Sequence, residues 1–167
     1  MATPFFLTKD QATEAFEAFV LPCIRNAMEQ KHVHREHLHV VCLVPGVPFA
    51  EGAKLPILFE YSIGEKSEWK QYDGKTYSDF ARGKAMITWR TGLSSREVVL
   101  AKPHLLIPGD VNLWGSVIID GVIVAVSGVK PYFDEMFARM TCAAVIAEAS
   151  YYAHEFASRE DGPDFLE

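Results

Sequence analysis

Apolar residues along this chain recur in two rhythms, one of threes and fours and one of twos, and the changes of rhythm mark its elements. Over residues 8–31, Ala15, Phe16, Phe19, Val20, Ile24 and Met28 repeat at helical spacing behind a Thr8 cap, with Asp10 and Gln11 at the positive end of the helix dipole. This predicts a first helix in which Pro22, lacking an amide proton, kinks the rod or ends its first half. Residues 37–44 are a short apolar run closed by Pro45 and Gly46, which suits a buried strand. A loop rich in Pro, Gly and Ala follows over 45–54. Residues 55–63, LPILFEYSI before Gly64, then make the second strand of an antiparallel pair.

Residues 65–75 are polar and predict an irregular segment. Thr76 or Ser78 caps a helix that runs through Phe80, Lys84, Ile87 and Thr88 to a terminating Gly92, and Ser94 or Ser95 caps a short one ending near Leu100. Residues 112–119 and 122–127 read as two strands about Asp120-Gly121, a pair that accepts the positive φ angles of a type I′ turn. Beyond Gly128 and Pro131, residues 133–156 place Met136, Phe137, Met140, Ala143, Ala144, Ala147 and Tyr151 on one face of a last helix. The polar end SREDGPDFLE is expected to fray. Together these elements predict one α/β domain of the α+β type: an antiparallel sheet of about five strands flanked by long N- and C-terminal helices and a middle helix.

Composition narrows the partners. A chain of 167 residues with 49% hydrophobic content can fill one core without disulfides or a structural metal. Its net charge of -6, with 22 acidic against 16 basic side chains and no basic block, argues against nucleic acid. No apolar stretch reaches the roughly 18 to 20 residues that cross a bilayer, and residues 1–8 lack a basic stretch leading into an apolar one, so neither a membrane partner nor export is expected. Cys23, Cys42 and Cys142 are odd in number and lack CxxC spacing, so they read as buried thiols of a reducing, cytoplasmic compartment.

Several side chains are candidates for chemistry. HVHREHLH sets His32, His34, His37 and His39 between the first helix and the first strand; on a strand, His37 and His39 share a face and form a plausible ligand pair for a transition metal or haem iron. The alternative is a solvated junction shared with Arg35 and Glu36. Arg82 and Lys84 lie about 200° apart on an ideal helix, so only one of them faces a given pocket. Trp69, Trp89, Trp114, Tyr77, Phe80 and Tyr132 offer flat surface either to a planar ligand or to the core, and Trp114 stands out beside Gly109, Asp110 and Gly115. Asp110, His104 and Glu60 are the candidates for general acid–base work. Asp134 and Glu135 read as charges complementing the start of the last helix. Ser127-Gly128 lacks the G-x-S-x-G frame of a nucleophile elbow.

Three stretches carry a family resemblance: FARGKAMITWRTGLSS over 80–95, IPGD over 107–110 and VIIDGVIVAVSGVKPYFDE over 117–135. In this order and spacing they resemble the GlcG/HbpS-like family of haem-degrading domains, over about half of the chain. One loop differs, with PGD and then VNLWG where the family commonly has PGG-V-P. The resemblance implies a profilin-like three-layer arrangement, assembly as a homo-oligomer (dimers or larger rings), and binding of haem, another tetrapyrrole such as a corrinoid, or other small molecules. It implies that Arg82 or Lys84 meets a ligand carboxylate, in a pocket near Tyr77, Trp89, Gly109 and Trp114. The function expected is a small-molecule-binding domain for a planar carboxylated ligand, serving as carrier, sensor or pathway accessory. The alternative is a cofactor-independent isomerase, cyclase or lyase in which Asp110 and His104 move protons and Arg82 or Lys84 anchors the substrate. A purely structural subunit of an oligomer is the third reading.

Overall fold

Neighbouring side chains of a strand point to opposite faces, so a strand that is apolar throughout has to be covered on both sides. Strands β1 (Leu38–Leu43) and β4 (Val122–Ser127) are in that state, buried along their whole length. A computed structural model, describing residues 3–160 and 162–166, sets them at the centre of an antiparallel sheet with β2 (Ile57–Ile63) and β3 (Ser116–Ile119) at the edges, in the order β2-β1-β4-β3. The described residues form four strands, not the expected five or so, in an α+β fold. The remaining bridge, Tyr72 to Lys75, only closes a local turn.

Helices cover both faces. Leu38, Val40, Cys42, Phe59, Val124 and Val126 pack against Phe16, Val20, Ile24, Phe137 and Val145 on one side. On the other, Val41, Leu43, Ile123 and Ala125 meet Ala81, Ala85 and Trp89. Small residues at 81 and 85 let that helix lie close to the sheet.

The first helical segment has three parts: α1 (Lys9–Ala15), a π-helical turn (Phe16–Val20) and α2 (Leu21–Glu29). Thr8 and Gln11 cap it reciprocally, with 2.9 and 3.2 Å bonds. Pro22 lies in the first turn of α2, and Leu21 donates back five residues to the Phe16 carbonyl. The wider turn relieves the clash that a proline ring makes with the carbonyl four residues earlier. It also resets the helix phase, so Ala12, Phe16, Val20 and Ile24 are buried while Phe19, expected on that face, is 59% exposed.

Helix α3 (Tyr77–Thr91) starts where Asp79 accepts from the Thr76 amide at 2.9 Å and ends at Gly92 in the left-handed conformation. Helix α4 (Ser95–Ala101) follows its Ser94 cap. Asp120 (φ 47°) and Gly121 (φ 79°) make the β3–β4 turn. Strand β3 is shorter than expected, because the chain over 112–114 lies outside the ladder and Gly115, whose carbonyl still accepts from the Val126 amide at 3.0 Å, adopts φ 146°. Helix α5 (Pro131–Ala157) begins two residues before the expected start, with proline in its first turn, where no amide is needed. Its buried seam runs through Asp134, Phe137, Ala138, Thr141 and Val145, whereas Met136 and Tyr151 are exposed. Ala143 and Ala147, also expected on that face, are exposed too, so the buried seam is displaced around the helix from the expected one rather than selected by residue size. No helix among the described residues is long and apolar enough to cross a membrane. Residues 1, 2, 161 and 167, which bear on the expectations for the two chain ends, lie outside the described residues.

Candidate functional site

At the N-terminal half of α3, the sheet face, the β4–α5 turn and the loop before β3 enclose a cleft of about 280 Å³. Tyr72, Tyr77 and Phe80 form an aromatic wall, with Tyr72 edge-on to Phe80 at 5.8 Å. Leu113, Val129 and Pro131 add apolar surface, and Ser127 and Gly128 bring the end of β4. Arg35, Lys84 and Lys130 contribute three cationic side chains against the single carboxylate of Asp134, so the lining favours an anion. Arg35 lies beside Tyr72 and Tyr77: the Tyr72 hydroxyl raises the guanidinium pKa above its ordinary value, and Arg35 in turn lowers that of Tyr72.

Lys84 is the buried feature of this cleft. Its ammonium donates to the Val126 carbonyl and to Asp134 Oδ2, both at 2.9 Å, while Asp134 Oδ1 accepts from the Val129 amide at 3.1 Å. Lysine and aspartate side chains are 1% and 2% exposed. Burial pushes the Lys84 pKa down against the attraction of Asp134, and pushes that of Asp134 up against Lys84 and the amide. Both shifts favour the neutral forms. Gly115 makes room for the pair: a Cβ there would stand 2.7 Å from the Asp134 Cβ, 2.8 Å from the Val126 oxygen and 3.1 Å from Lys84 Nζ.

A second polar cluster lies on the same sheet face. His39 Nδ1 is 2.9 Å from Ser62 Oγ and Nε2 is 3.1 Å from Glu60 Oε1, and Arg82 grips both Glu60 oxygens at 2.7 and 2.9 Å. Burial lowers the His39 pKa despite Glu60, which favours the neutral ring. Burial raises that of Glu60, yet the bonds from Arg82 and His39 together hold it below its ordinary value. Trp69 covers the cluster, edge-on to His39 at 5.9 Å, and its indole nitrogen is buried without a partner among the described residues.

The expected site residues are thus dispersed. Arg82 and Lys84 part as helix geometry requires, with Arg82 on Glu60 and Lys84 in the cleft. Tyr77 joins Lys84 there. Trp89 lies toward the other end of α3, donating to the Val47 carbonyl at 2.7 Å and lining a different recess with Phe49. Asp110 is clamped by Arg90 through 2.9 and 2.7 Å bonds and accepts from the Ile107 amide, all of which outweigh burial and lower its pKa. Gly109 shapes that exposed turn, and His104 is exposed on a short helical turn; neither lines the cleft. Trp114 is half-buried under the Arg96 guanidinium, 5.9 Å from its ring, while its neighbour Leu113 faces the cleft.

His37 and His39 do not share a ligand set: His39 has both nitrogens engaged, and His37 lies 3.6 Å from Glu68. Among the described residues no three His, Cys, Asp or Glu side chains are grouped to hold a metal. Residues missed in the sequence are Arg35, Tyr72, Ser127, Lys130 and Asp134. One available signal was Lys84 itself, a charge at helical spacing from Tyr77, Ala81 and Thr88 on the face of α3 that is buried, where a cation calls for a counter-ion.

Fold and site therefore define an α+β domain with a small, cation-lined cleft at one end of its middle helix. No family model matches the chain, and neither a curated protein nor a solved structure is significantly similar to it.

Proposed function

We propose that the cleft binds a small, partly planar molecule bearing a carboxylate, and that the domain serves as its carrier, sensor or pathway accessory. One observation carries this reading: an aromatic wall of Tyr72, Tyr77 and Phe80 stands beside Arg35, Lys84 and Lys130 in the same cavity. Aromatic faces hold a flat body, and a guanidinium matches a carboxylate in two-point geometry. The size supports a small ligand, since cavities for organic molecules run from about 300 Å³ upward.

Haem or a corrinoid fits these residues less well. The lining offers no His, Cys or Met, the common haem ligands besides tyrosine, and its nearest substitutes are Tyr72, Tyr77 and the amines of Lys84 and Lys130. The profilin-like layering and homo-oligomeric assembly belong to the same proposal; helices on both sheet faces support the first, and sedimentation tests the second. Cys42 and Cys142 are buried as expected, whereas Cys23 is exposed; that all three thiols are free supports a reducing, cytoplasmic setting.

Thermal shifts measured with benzoate, indole-3-acetate, their amides and hemin test the reading. The acids should stabilise the protein, the amides should not, and Arg35→Ala with Lys130→Ala should abolish the difference. Equal responses to acids and amides refute it, and a stoichiometric Soret shift with hemin would restore the tetrapyrrole version.

A further inference from the structure

We propose that Lys84 is a nucleophilic amine that forms an imine with a small 2-oxo acid held in the cleft. The inference rests on the reading of the cleft as a carboxylate site and adds to it the reacting group and the substrate class.

Of the nine lysines, Lys84 alone is buried, and it is also part of the cavity lining. Stability gives no reason for that position, because a buried ion pair is commonly no better than a packed apolar pair. A role at the cleft does give one. Buried lysines lose charge readily and are the usual partners of carbonyl compounds in Schiff-base chemistry. Asp134, 2.9 Å from Nζ, is placed to take and return a proton, and burial brings both groups toward their neutral forms. Arg35 and Lys130 supply positive charge for the carboxylate that a 2-oxo acid carries next to its carbonyl.

The step balances within these groups. Asp134 takes a proton from the Lys84 ammonium, and the freed nitrogen lone pair forms the C–N bond while the carbonyl π pair moves to oxygen. A proton passes from nitrogen to that oxygen, giving the carbinolamine. Asp134 then returns its proton to the hydroxyl, water departs and the nitrogen lone pair closes the C=N bond. The net change is ammonium plus ketone to iminium plus water, with no redox partner.

The test incubates the full-length protein with pyruvate and sodium cyanoborohydride, followed by intact mass spectrometry and peptide mapping. A single reduced adduct on the peptide carrying Lys84 is expected. Adducts spread over exposed lysines such as Lys54 and Lys70, or none at all, overturn the proposal. Lys84→Arg should fold, keep its contact with Asp134 and lose the adduct; the wild-type map decides the matter even if that variant does not fold. Lactate, with the same carboxylate but no carbonyl, separates the two readings when its binding is followed by NMR. If lactate and pyruvate both bind but nothing is trapped, the imine is wrong and the carboxylate site stands. If neither perturbs the cleft resonances, both readings fall.

Discussion

The Lys84 ammonium lies 2.9 Å from the Asp134 carboxylate, joining the middle helix to the start of the last one across the end of β4. Removing one partner leaves a bare charge in the interior. Lys84→Ala should therefore cost about 3–5 kcal/mol, whereas Lys84→Met with Asp134→Asn, which keeps an acceptor for the Val129 amide, should recover more than half of that. Denaturant midpoints of the single and double variants measure the difference. A double variant as unstable as the single one would show that packing, not unpaired charge, sets the cost.

Asp110 is engaged differently. Its carboxylate closes the turn after residue 107 on Arg90, and neither partner lines the cleft. Asp110→Asn should lower stability by about 1.5–3 kcal/mol through the lost charge-assisted bonds, and leave carboxylate binding at the cleft unchanged. Titration of a bound acid against both proteins checks this. A tenfold weaker affinity in the variant would return Asp110 to the site.

What was legible in the sequence was local. Asp120-Gly121, Thr76 (one of the two expected caps) and Gly92 each specify a backbone conformation through their own chemistry, and each stands where expected. Residues 112–115 read as strand because their apolar content suits one, yet Gly115 must leave room for Lys84 and Asp134, which come from elsewhere in the chain. Asp134 illustrates the same limit. At a helix start an acid is sufficiently explained by the dipole, and only the fold reveals that its counter-ion lies fifty residues away. Trp89 and Tyr77 sit on one helix but serve opposite ends of it, a distinction that hydrophobic spacing does not encode.

His39 makes stability depend on pH. Glu60, Arg82 and Lys66 are the charged groups acting on it, and burial wins over Glu60 to lower its pKa below 6.5. The unfolded chain then binds a proton that the folded chain resists, so stability falls as pH drops from above 6.5 toward the folded value. His39→Gln should flatten that slope. Unfolding midpoints at closely spaced pH values, with the His39 ring followed by NMR, provide the check; titration of the folded ring above 6.5 would reverse the sign and sink the argument.

Gly115 is fixed by space as well as by conformation. At φ 146° a side chain is strained, and its Cβ would press on the Asp134 Cβ and the Val126 oxygen. Gly115→Ala should cost about 2–5 kcal/mol, combining backbone strain with overpacking. It should also displace Lys84, so ligand binding should weaken more than in a surface variant of equal stability. Calorimetry on both proteins distinguishes these cases.

The π-helical turn and Pro22 form a coupled pair. Such a turn amounts to one extra residue in an α-helix, so deleting exposed Ala18 would restore a continuous helix with both flanks still in phase. Pro22 would then lie in a helix interior and clash with the carbonyl four residues earlier, at about 3 kcal/mol or more. The deletion should be poorly tolerated alone and much better tolerated with Pro22→Ala, while Pro22→Ala in the full-length chain should change little. A thermodynamic cycle over the four proteins reads the coupling directly. Additive effects would mean that the turn answers to the packing of Phe16, Val20 and Ile24 and owes nothing to the proline.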